Sequence, residues 1–378
     1  MADYPEVVYW LTLINQSGLK LNLIKPIIQR WCITERRPLA DLFGFSPLEW
    51  ATTFGLGDAE ADQAAAAAGK LAQQAQILAQ WQAQGIETLS RMDPRYPKRL
   101  IYALPPAKQP LLMWARGAVE LLNESLVAIL GDDVPDETMF EFVDDLMQTL
   151  VAEEIGLVSG YGRGLDRTTF EKMLQTEGGR AVVMLPMGLS AFAKTTTRLE
   201  AAIAAEKIVI ASPFAPDTPY QERLAEARNL LIDYLALTLL ILNTDDEAAT
   251  RAKAALDRAA PVFVSLDDTA GNRALIDQGA LLLTDAGEVV EMVQQAVIDT
   301  TLMESAETEE EPLASAAPVL EGPPPVVELD PNDDYSLRSE EVEPIDTEEA
   351  LEILSLGGDV PDLLRQRLKK KAKEDEVE

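Results

Sequence analysis

Residues 156–166, Gly-Leu-Val-Ser-Gly-Tyr-Gly-Arg-Gly-Leu-Asp, join an apolar run to groups that bind anions. Three alternating glycines let the main chain turn sharply and bring its N–H groups close to a ligand. A helix over residues 167–175 would add its positive N-terminal end. We therefore predict a strand that ends at a phosphate-binding loop. The predicted site residues are Ser159, Gly160, Gly162, Arg163, Gly164 and Asp166.

The sequence is consistent with two roles for Asp166. It could cap the helix that follows, or its carboxylate could accept a hydrogen bond from a ribose hydroxyl. The simpler alternative for the loop is that Gly160 and Gly164 serve only turn geometry.

Other apolar runs end at glycines in the same way. Residues 126–130 lead into Gly131-Asp132-Asp133, and residues 181–185 lead into Pro186-Met187-Gly188. Strand and helix patterns then alternate over residues 119–300, ending with a helix over 287–299. This alternation predicts an α/β fold: a doubly wound, mostly parallel Rossmann-like sheet with ligands at the carboxyl ends of its strands.

The rest of the chain has a different character. Residues 1–84 predict a small all-helical domain of the helix-hairpin-helix type, with helices over 21–32 and 58–82 among others. Residues 85–118 are proline-rich and predict an extended linker to the sheet. Residues 301–345 are acidic and proline-rich, which predicts a disordered linker, and residues 346–378 predict short terminal helices.

Composition restricts the function. The chain of 378 residues has 64 acidic and 32 basic residues, no histidine and one cysteine, for a net charge of −32. Residues 1–118 carry 12 basic and 10 acidic side chains, whereas residues 119–300 carry 13 and 31. Without histidine the usual general base is missing, and no catalytic triad or Cys/His metal-binding spacing can be built, so we expect no enzyme, no metal and no cofactor. With no signal peptide or apolar run of membrane-spanning length, we expect a cytoplasmic protein without membrane contact.

Five motifs in order resemble the DprA/Smf DNA-processing family. The glycine loop is similar to the family's Ser-Gly-x-Ala-x-Gly-Ile-Asp, and residues 93–100 are similar to its Asp-x-x-Tyr-Pro-x-x-Leu. Residues 106–117 resemble its Pro-Pro…Leu…Gly approach. Residues 227–232 are similar to its Arg-Asn-Arg-Ile-Ile signature, and residues 271–280 to Gly-Thr-Asn-x-Leu-Ile-x-x-Gly-Ala. The resemblance covers residues 4–290.

The resemblance implies a protein that holds single-stranded DNA during uptake and recombination and passes it to a recombinase. It adds four residues to the DNA- or phosphate-binding set, and a homodimer to the expected partners. One departure weakens the expectation: Gly131-Asp132-Asp133 stands where the family has Gly-Ser-Arg, so two carboxylates replace anion-binding groups. The alternative is a diverged, non-catalytic Rossmann module that binds a small nucleotide-type ligand or a protein. The four site residues that the resemblance adds to the DNA- or phosphate-binding set are Arg228, Asn229, Gly271 and Asn272.

Overall fold

The computed structural model describes residues 4–131, 137–192, 199–265 and 270–309. The N-terminal part is helical. The expected helix over 58–82 is two helices, because a 3-10 turn at Ala67–Lys70 interrupts it at Gly69, a residue with poor helix propensity. The expected helix over 21–32 stops as an α-helix at Ile28 and continues as a π-helix, Gln29–Thr34. The five α-helices here are α1 (Glu6–Gln16), α2 (Leu21–Ile28), α3 (Pro47–Phe54), α4 (Asp58–Ala66) and α5 (Leu71–Ala83).

A single sheet organises the remainder of the described chain. Its strand order is β1-β2-β6-β5-β4-β3-β7-β8-β9. The neighbouring strands from β6 to β9 in this order are parallel, whereas β2 is antiparallel to both of its neighbours, β1 and β6. The strands are β1 (Glu87–Ser90), β2 (Leu112–Gly117), β3 (Leu126–Gly131), β4 (Gly156–Ser159), β5 (Ala181–Met184), β6 (Ile208–Ser212), β7 (Thr238–Asn243), β8 (Val262–Val264) and β9 (Leu281–Leu282).

Helices cover both faces of this sheet. Val127 and Ile129 of β3 point into one apolar cluster, whereas Ala128 and Leu130 point into another. Burial of both faces is typical of a doubly wound sheet and confirms the predicted fold class. The helices are α6 (Lys98–Tyr102), α7 (Glu137–Ala152), α8 (Leu165–Gln175), α9 (Glu200–Ala204), α10 (Glu222–Leu235), α11 (Asp246–Asp257), α12 (Ala270–Asp277) and α13 (Ala286–Glu309).

The segment 85–118 differs from the extended linker expected from its prolines. It contributes β1 and β2, which pair with each other and, through β2, with β6. The prolines lie outside these two strands, where they remove no ladder hydrogen bond. The helical part is also continuous with the sheet: Trp81 of α5 meets Trp114 of β2 edge to face at 6.1 Å, inside one apolar cluster.

The C-terminal boundary also shifts. The helix expected over 287–299 runs on as α13 to Glu309, so the first residues of the expected disordered linker are helical. The remaining predictions for 310–345 and 346–378 lie outside the described residues, as do Asp132 and Asp133. Among the helices of the described ranges, none is long and apolar enough to cross a membrane.

The order of the strands fixes where a ligand site is expected. From β3 the chain moves outward through β4, β5 and β6, and then returns to place β7 on the other side of β3. The order in which strands are added to the sheet therefore reverses between the parallel strands β3 and β7, and in such sheets ligands bind outside the carboxyl ends at this point. The pairing of these two strands also shifts register between Leu130 and Gly131.

Candidate anion site at the sheet edge

A cavity of about 250 Å³ lies at the carboxyl ends of β3 and β4, beside the point where the strand order reverses. Seven of the ten site residues predicted from the sequence line it, and an eighth lies in the same loop. Those residues are Ser159, Gly160, Gly162, Arg163, Asp166, Arg228 and Asn229 in the wall itself, with Gly164 in the same loop.

The glycine loop already holds a carboxylate of the chain itself. Asp166 Oδ1 accepts a hydrogen bond from the hydroxyl of Ser159 at 2.6 Å, and Oδ2 accepts one from the N–H of Gly162 at 2.7 Å. The N–H of Tyr161 donates to Ser159 Oγ at 2.8 Å. The loop therefore binds an anion as its glycines suggest, but the anion is Asp166, which satisfies donors that were expected to meet a phosphate.

Asp166 is not the N-cap of α8. The N-cap is Gly164, whose φ of 68° and ψ of −132° lie in a region that only glycine adopts without strain. Asp166 is the second residue of the helix, where its charge also matches the positive end of the helix dipole. Arg163, just before the cap, is exposed at the rim of the cavity.

Arg228 of α10 forms the other side of the loop. Its Nη1 donates to the carbonyl oxygens of Gly160 at 2.9 Å and of Met184 at 3.2 Å. A Cβ on residue 160 would lie 1.9 Å from that nitrogen, so Arg228 can occupy this position only beside a glycine. Burial lowers the pKa of Arg228 from its usual value, while the Asp166 carboxylate opposes that shift.

The Nε of Arg228 is the open donor of the site. It is buried, and within the described structure it has no hydrogen-bond partner. A buried donor without a partner costs roughly 1–3 kcal/mol, and such a group is a natural contact for an incoming oxygen.

The acidic wall of the cavity is already engaged by protein donors. Glu247 accepts from Asn229 at 2.9 Å and from Arg251 at 3.2 Å, and Arg251 forms a second, buried ion pair with Asp233 at 2.7 Å. Asp245 caps α11 by accepting from the N–H of residue 248 at 2.6 Å. Burial disfavours the charge of Arg251, but the carboxylates of Asp233 and Glu247 outweigh burial and hold the pKa of Arg251 above its usual value.

Asp245, Glu247 and Arg251 were not among the residues predicted for the site. Their position was the available signal, since they follow the apolar run of β7 and begin the next helix, at the same edge as the glycine loop. Three arginines and three carboxylates thus line the cavity, namely Arg163, Arg228, Arg251, Asp166, Asp245 and Glu247.

Gly271 and Asn272 lie apart from this cavity. The buried amide of Asn272 donates to the carbonyl oxygen of Ser265 at 3.1 Å and accepts from the hydroxyl of Thr244. A Cβ on residue 271 would lie 2.9 Å from the Thr244 methyl group. These contacts tie the start of α12 to the loops that follow β7 and β8.

The arrangement suits binding of an anion better than chemistry on it. In the described ranges, no group of three carboxylate or thiol side chains is placed to hold a metal ion. The cavity offers fixed donors at the end of a parallel sheet, with its carboxylates held by protein partners. Its cationic side chains include the buried Arg228 in the wall and the exposed Arg163.

Known proteins resemble this chain in sequence and in fold. Protein Smf of Escherichia coli (strain K12) is 26% identical over 211 residues, which cover 53% of this chain and 54% of Smf, so the match spans about half the length of that relative. The X-ray structure of DNA processing protein A from Streptococcus pneumoniae has a similar fold, with a TM-score of 0.52 and 21% identity over 75% of this chain and 97% of that one. DNA processing protein A from Helicobacter pylori, a protein with a single-stranded DNA binding mode, covers 56% of this chain and 96% of its own at a TM-score of 0.46 and 21% identity.

The family comparison is the more decisive one. The model for DNA recombination-mediator protein A matches residues 87–294, which is more than half of the chain and includes the whole cavity. The match confirms the resemblance to the DprA/Smf proteins seen in the sequence motifs. The chain belongs to the DNA recombination-mediator protein A family.

Proposed function

We propose that this chain is a DNA-processing protein that binds single-stranded DNA during uptake and recombination and passes it to a recombinase. Family membership supports the class of function. The observation that carries the binding step is Arg228, a cation at the carboxyl edge of the sheet whose buried Nε has no partner in the described structure. A phosphate oxygen of the DNA backbone would satisfy that donor with a charge-assisted hydrogen bond.

The charge of the protein sets the strength of this interaction. With a net charge of −32 the chain repels a polyanion at long range. Binding therefore depends on a few local cations, and single-stranded DNA should bind weakly and with marked salt dependence. Because the carboxylates of the cavity wall are hydrogen-bonded, the local repulsion is smaller than the number of acidic groups suggests.

We further propose that binding is not coupled to catalysis by this chain. The chain has no histidine, and the carboxylates of the cavity already accept hydrogen bonds from protein donors. A general base that works near neutral pH is usually a histidine, and hydrogen bonds from protein donors make a carboxylate a weaker base. The test is incubation with labelled single-stranded DNA, which should be recovered intact.

The size of the cavity favours a second candidate function, binding of a small nucleotide. A volume of about 250 Å³ is slightly below the roughly 300 Å³ of the smallest usual small-molecule sites, and it would hold a phosphate with part of one sugar. In that case the ligand would be a free mononucleotide, and the protein would not bind a DNA strand along its surface.

Fluorescence anisotropy with a labelled oligo(dT) separates these functions. The proposal predicts binding at about 50 mM salt that weakens steeply toward about 200 mM. Unlabelled oligo(dT) should compete much better than dTMP. Equal competition by dTMP would favour the small-nucleotide function, and no binding at low salt would refute DNA binding.

A variant pair tests the site. Arg163→Ala should weaken oligo(dT) binding by about 1–3 kcal/mol and leave the melting temperature nearly unchanged. Arg223→Ala is the matched control, because Arg223 is an exposed arginine of α10 whose guanidinium contacts Gln221. Equal effects of the two substitutions would show that only overall charge matters.

A further inference from the structure

Three cations meet where the helical part joins the sheet. Lys25 lies on α2, Arg91 directly follows β1, and Lys108 precedes β2. All three side chains are partly exposed. We call them the junction cations.

Contacts on α2 and on the π-helix that continues it place these side chains. Lys25 Nζ donates to the carbonyl oxygen of Ala107, the neighbour of Lys108. One turn further along, Gln29 Oε1 accepts from Arg91 Nη1 at 3.4 Å. Backbone and amide acceptors thus hold Lys25 and Arg91, and such neutral acceptors do not cancel the positive charge of these two side chains.

The junction cations differ from other cations in the same region. In the part of the chain that the structure describes, neither Lys25 nor Arg91 forms an ion pair with a carboxylate. By contrast, nearby Arg95 pairs with Glu87 at 2.6 Å and with Asp93 at 3.2 Å. Burial, followed by the charges of Arg91 and Lys108, lowers the pKa of Lys25 from 10.5 to about 8.

This grouping stands out in a chain with twice as many acidic as basic residues. Three cations held close together repel one another, and partial burial adds a desolvation penalty. An anion placed between them would remove both costs. A phosphate group suits such a site because it presents several strong acceptor oxygens.

The topology relates this site to the cavity. Strand β1 ends, and β2 begins, at the edge of the sheet where the parallel strands have their carboxyl ends, because β2 runs antiparallel to β6 with Trp114 opposite Ser212. The junction cations and Arg228 therefore lie along one edge. Five strand spacings separate β1 from β3, or about 24 Å at about 4.8 Å each.

We propose that Lys25, Arg91 and Lys108 bind a phosphate group, and that this phosphate belongs to the backbone of the single-stranded DNA that also contacts the cavity. The phosphate site stands on its own geometry. Its assignment to the DNA backbone rests on the proposed function. The DNA would then follow the carboxyl edge of the sheet from Arg228 toward α2.

The test uses the full chain and a double variant, Lys25→Gln with Lys108→Gln. The control, Lys70→Gln with Lys253→Gln, removes the same charge at exposed positions away from the junction. Oligo(dT) affinity is measured by anisotropy across a salt series, and inorganic phosphate binding is measured as a rise in melting temperature at matched ionic strength. Circular dichroism checks folding, and Lys25→Arg tests rescue.

We expect the junction variant to bind oligo(dT) about tenfold more weakly than the control, with a salt slope smaller by about 0.7 for one lost phosphate contact. Phosphate should stabilise the wild type and the control but not the junction variant, and Lys25→Arg should keep both effects. If phosphate stabilises all variants equally, or none, the phosphate site is overturned.

The two ligands also distinguish the source of the phosphate. Loss of phosphate stabilisation with unchanged oligo(dT) affinity would show that the site binds free phosphate, and would overturn the assignment to DNA. If the wild type binds no oligo(dT) while phosphate still stabilises it through the junction cations, the proposed function fails and the phosphate site stands.

Discussion

Replacing Asp166 tests whether the glycine loop is built around the chain's own carboxylate. In the structure this carboxylate accepts hydrogen bonds of 2.6 Å from Ser159 and 2.7 Å from the Gly162 N–H. It also lies in the first turn of α8, where a negative charge is favourable. Asp166→Ala removes these interactions and leaves two donors without an acceptor.

The magnitude follows from these contacts. A hydrogen bond to a charged group contributes roughly 1.5–3 kcal/mol, with the lower end appropriate for a partly exposed residue. Two such bonds give an expected loss of about 3 kcal/mol in the free energy of unfolding for Asp166→Ala. Asp166→Asn keeps one acceptor oxygen and should lose about half as much. Urea denaturation measures both values.

The same substitutions should have the opposite effect on ligand binding. Without the Asp166 charge, the loop N–H groups and Arg228 face a phosphate with less repulsion, so oligo(dT) affinity of Asp166→Asn should rise by about tenfold, or about 1.4 kcal/mol. Unchanged stability together with weaker binding would refute this reasoning. Asp166 would then contact the ligand directly, as an acceptor for a ribose hydroxyl would.

Three further predictions concern the surroundings of the cavity and the junction. Gly160→Ala should displace Arg228, since the new Cβ would lie 1.9 Å from its Nη1, and oligo(dT) affinity should fall by about tenfold in anisotropy. Arg251→Met should lower the free energy of unfolding by about 3–5 kcal/mol in urea, because it leaves the buried Asp233 carboxylate unpaired. The lowered pKa of Lys25 means that the folded protein releases this proton at lower pH than the unfolded chain, so its contribution to stability should rise between about pH 8 and 10.5. The difference between wild-type and Lys25→Gln stability curves isolates that contribution.

Each of these predictions has a clear contrary result. Gly69→Ala, where the added Cβ meets no atom within 4 Å, is the control for Gly160→Ala, and equal affinities of the two variants would contradict the contact with Arg228. If Arg251→Met lowers the free energy of unfolding by less than about 1 kcal/mol, the ion pair with Asp233 contributes no more than an exposed surface pair. Parallel stability curves for the wild type and Lys25→Gln would show that Lys25 titrates at its ordinary pKa.

The fold was largely predictable from local patterns. Strands β3 to β7 are short apolar runs, each followed by a glycine or a polar break, and their alternation with helices implies a doubly wound sheet. The antiparallel strands β1 and β2 were missed because Pro105, Pro106 and Pro110 dominate the composition of that segment. Pairing of β2 with β6 is a contact across roughly a hundred residues, which no local pattern reports.

The site was predictable as a location but less so as a set of contacts. The glycines, Ser159 and Asp166 lie within eight residues, so the loop is visible in the sequence. The sequence could not show that the Asp166 carboxylate occupies the loop. Its distance in sequence from the glycines is equally consistent with a helix cap and with an acceptor for a ribose hydroxyl. The fit of Arg228 against Gly160 joins residues 68 positions apart and depends on the packing of α10 across the sheet.

The most direct test of DNA binding at the sheet edge is the ¹⁵Nε–H resonance of Arg228, assigned with Arg228→Lys, during titration with oligo(dT). In the free protein this N–H has no partner within the described structure. A phosphate oxygen that accepts its hydrogen bond should shift the resonance downfield, with the same apparent Kd as anisotropy gives. An unchanged Arg228 resonance while oligo(dT) saturates the protein would contradict the central claim.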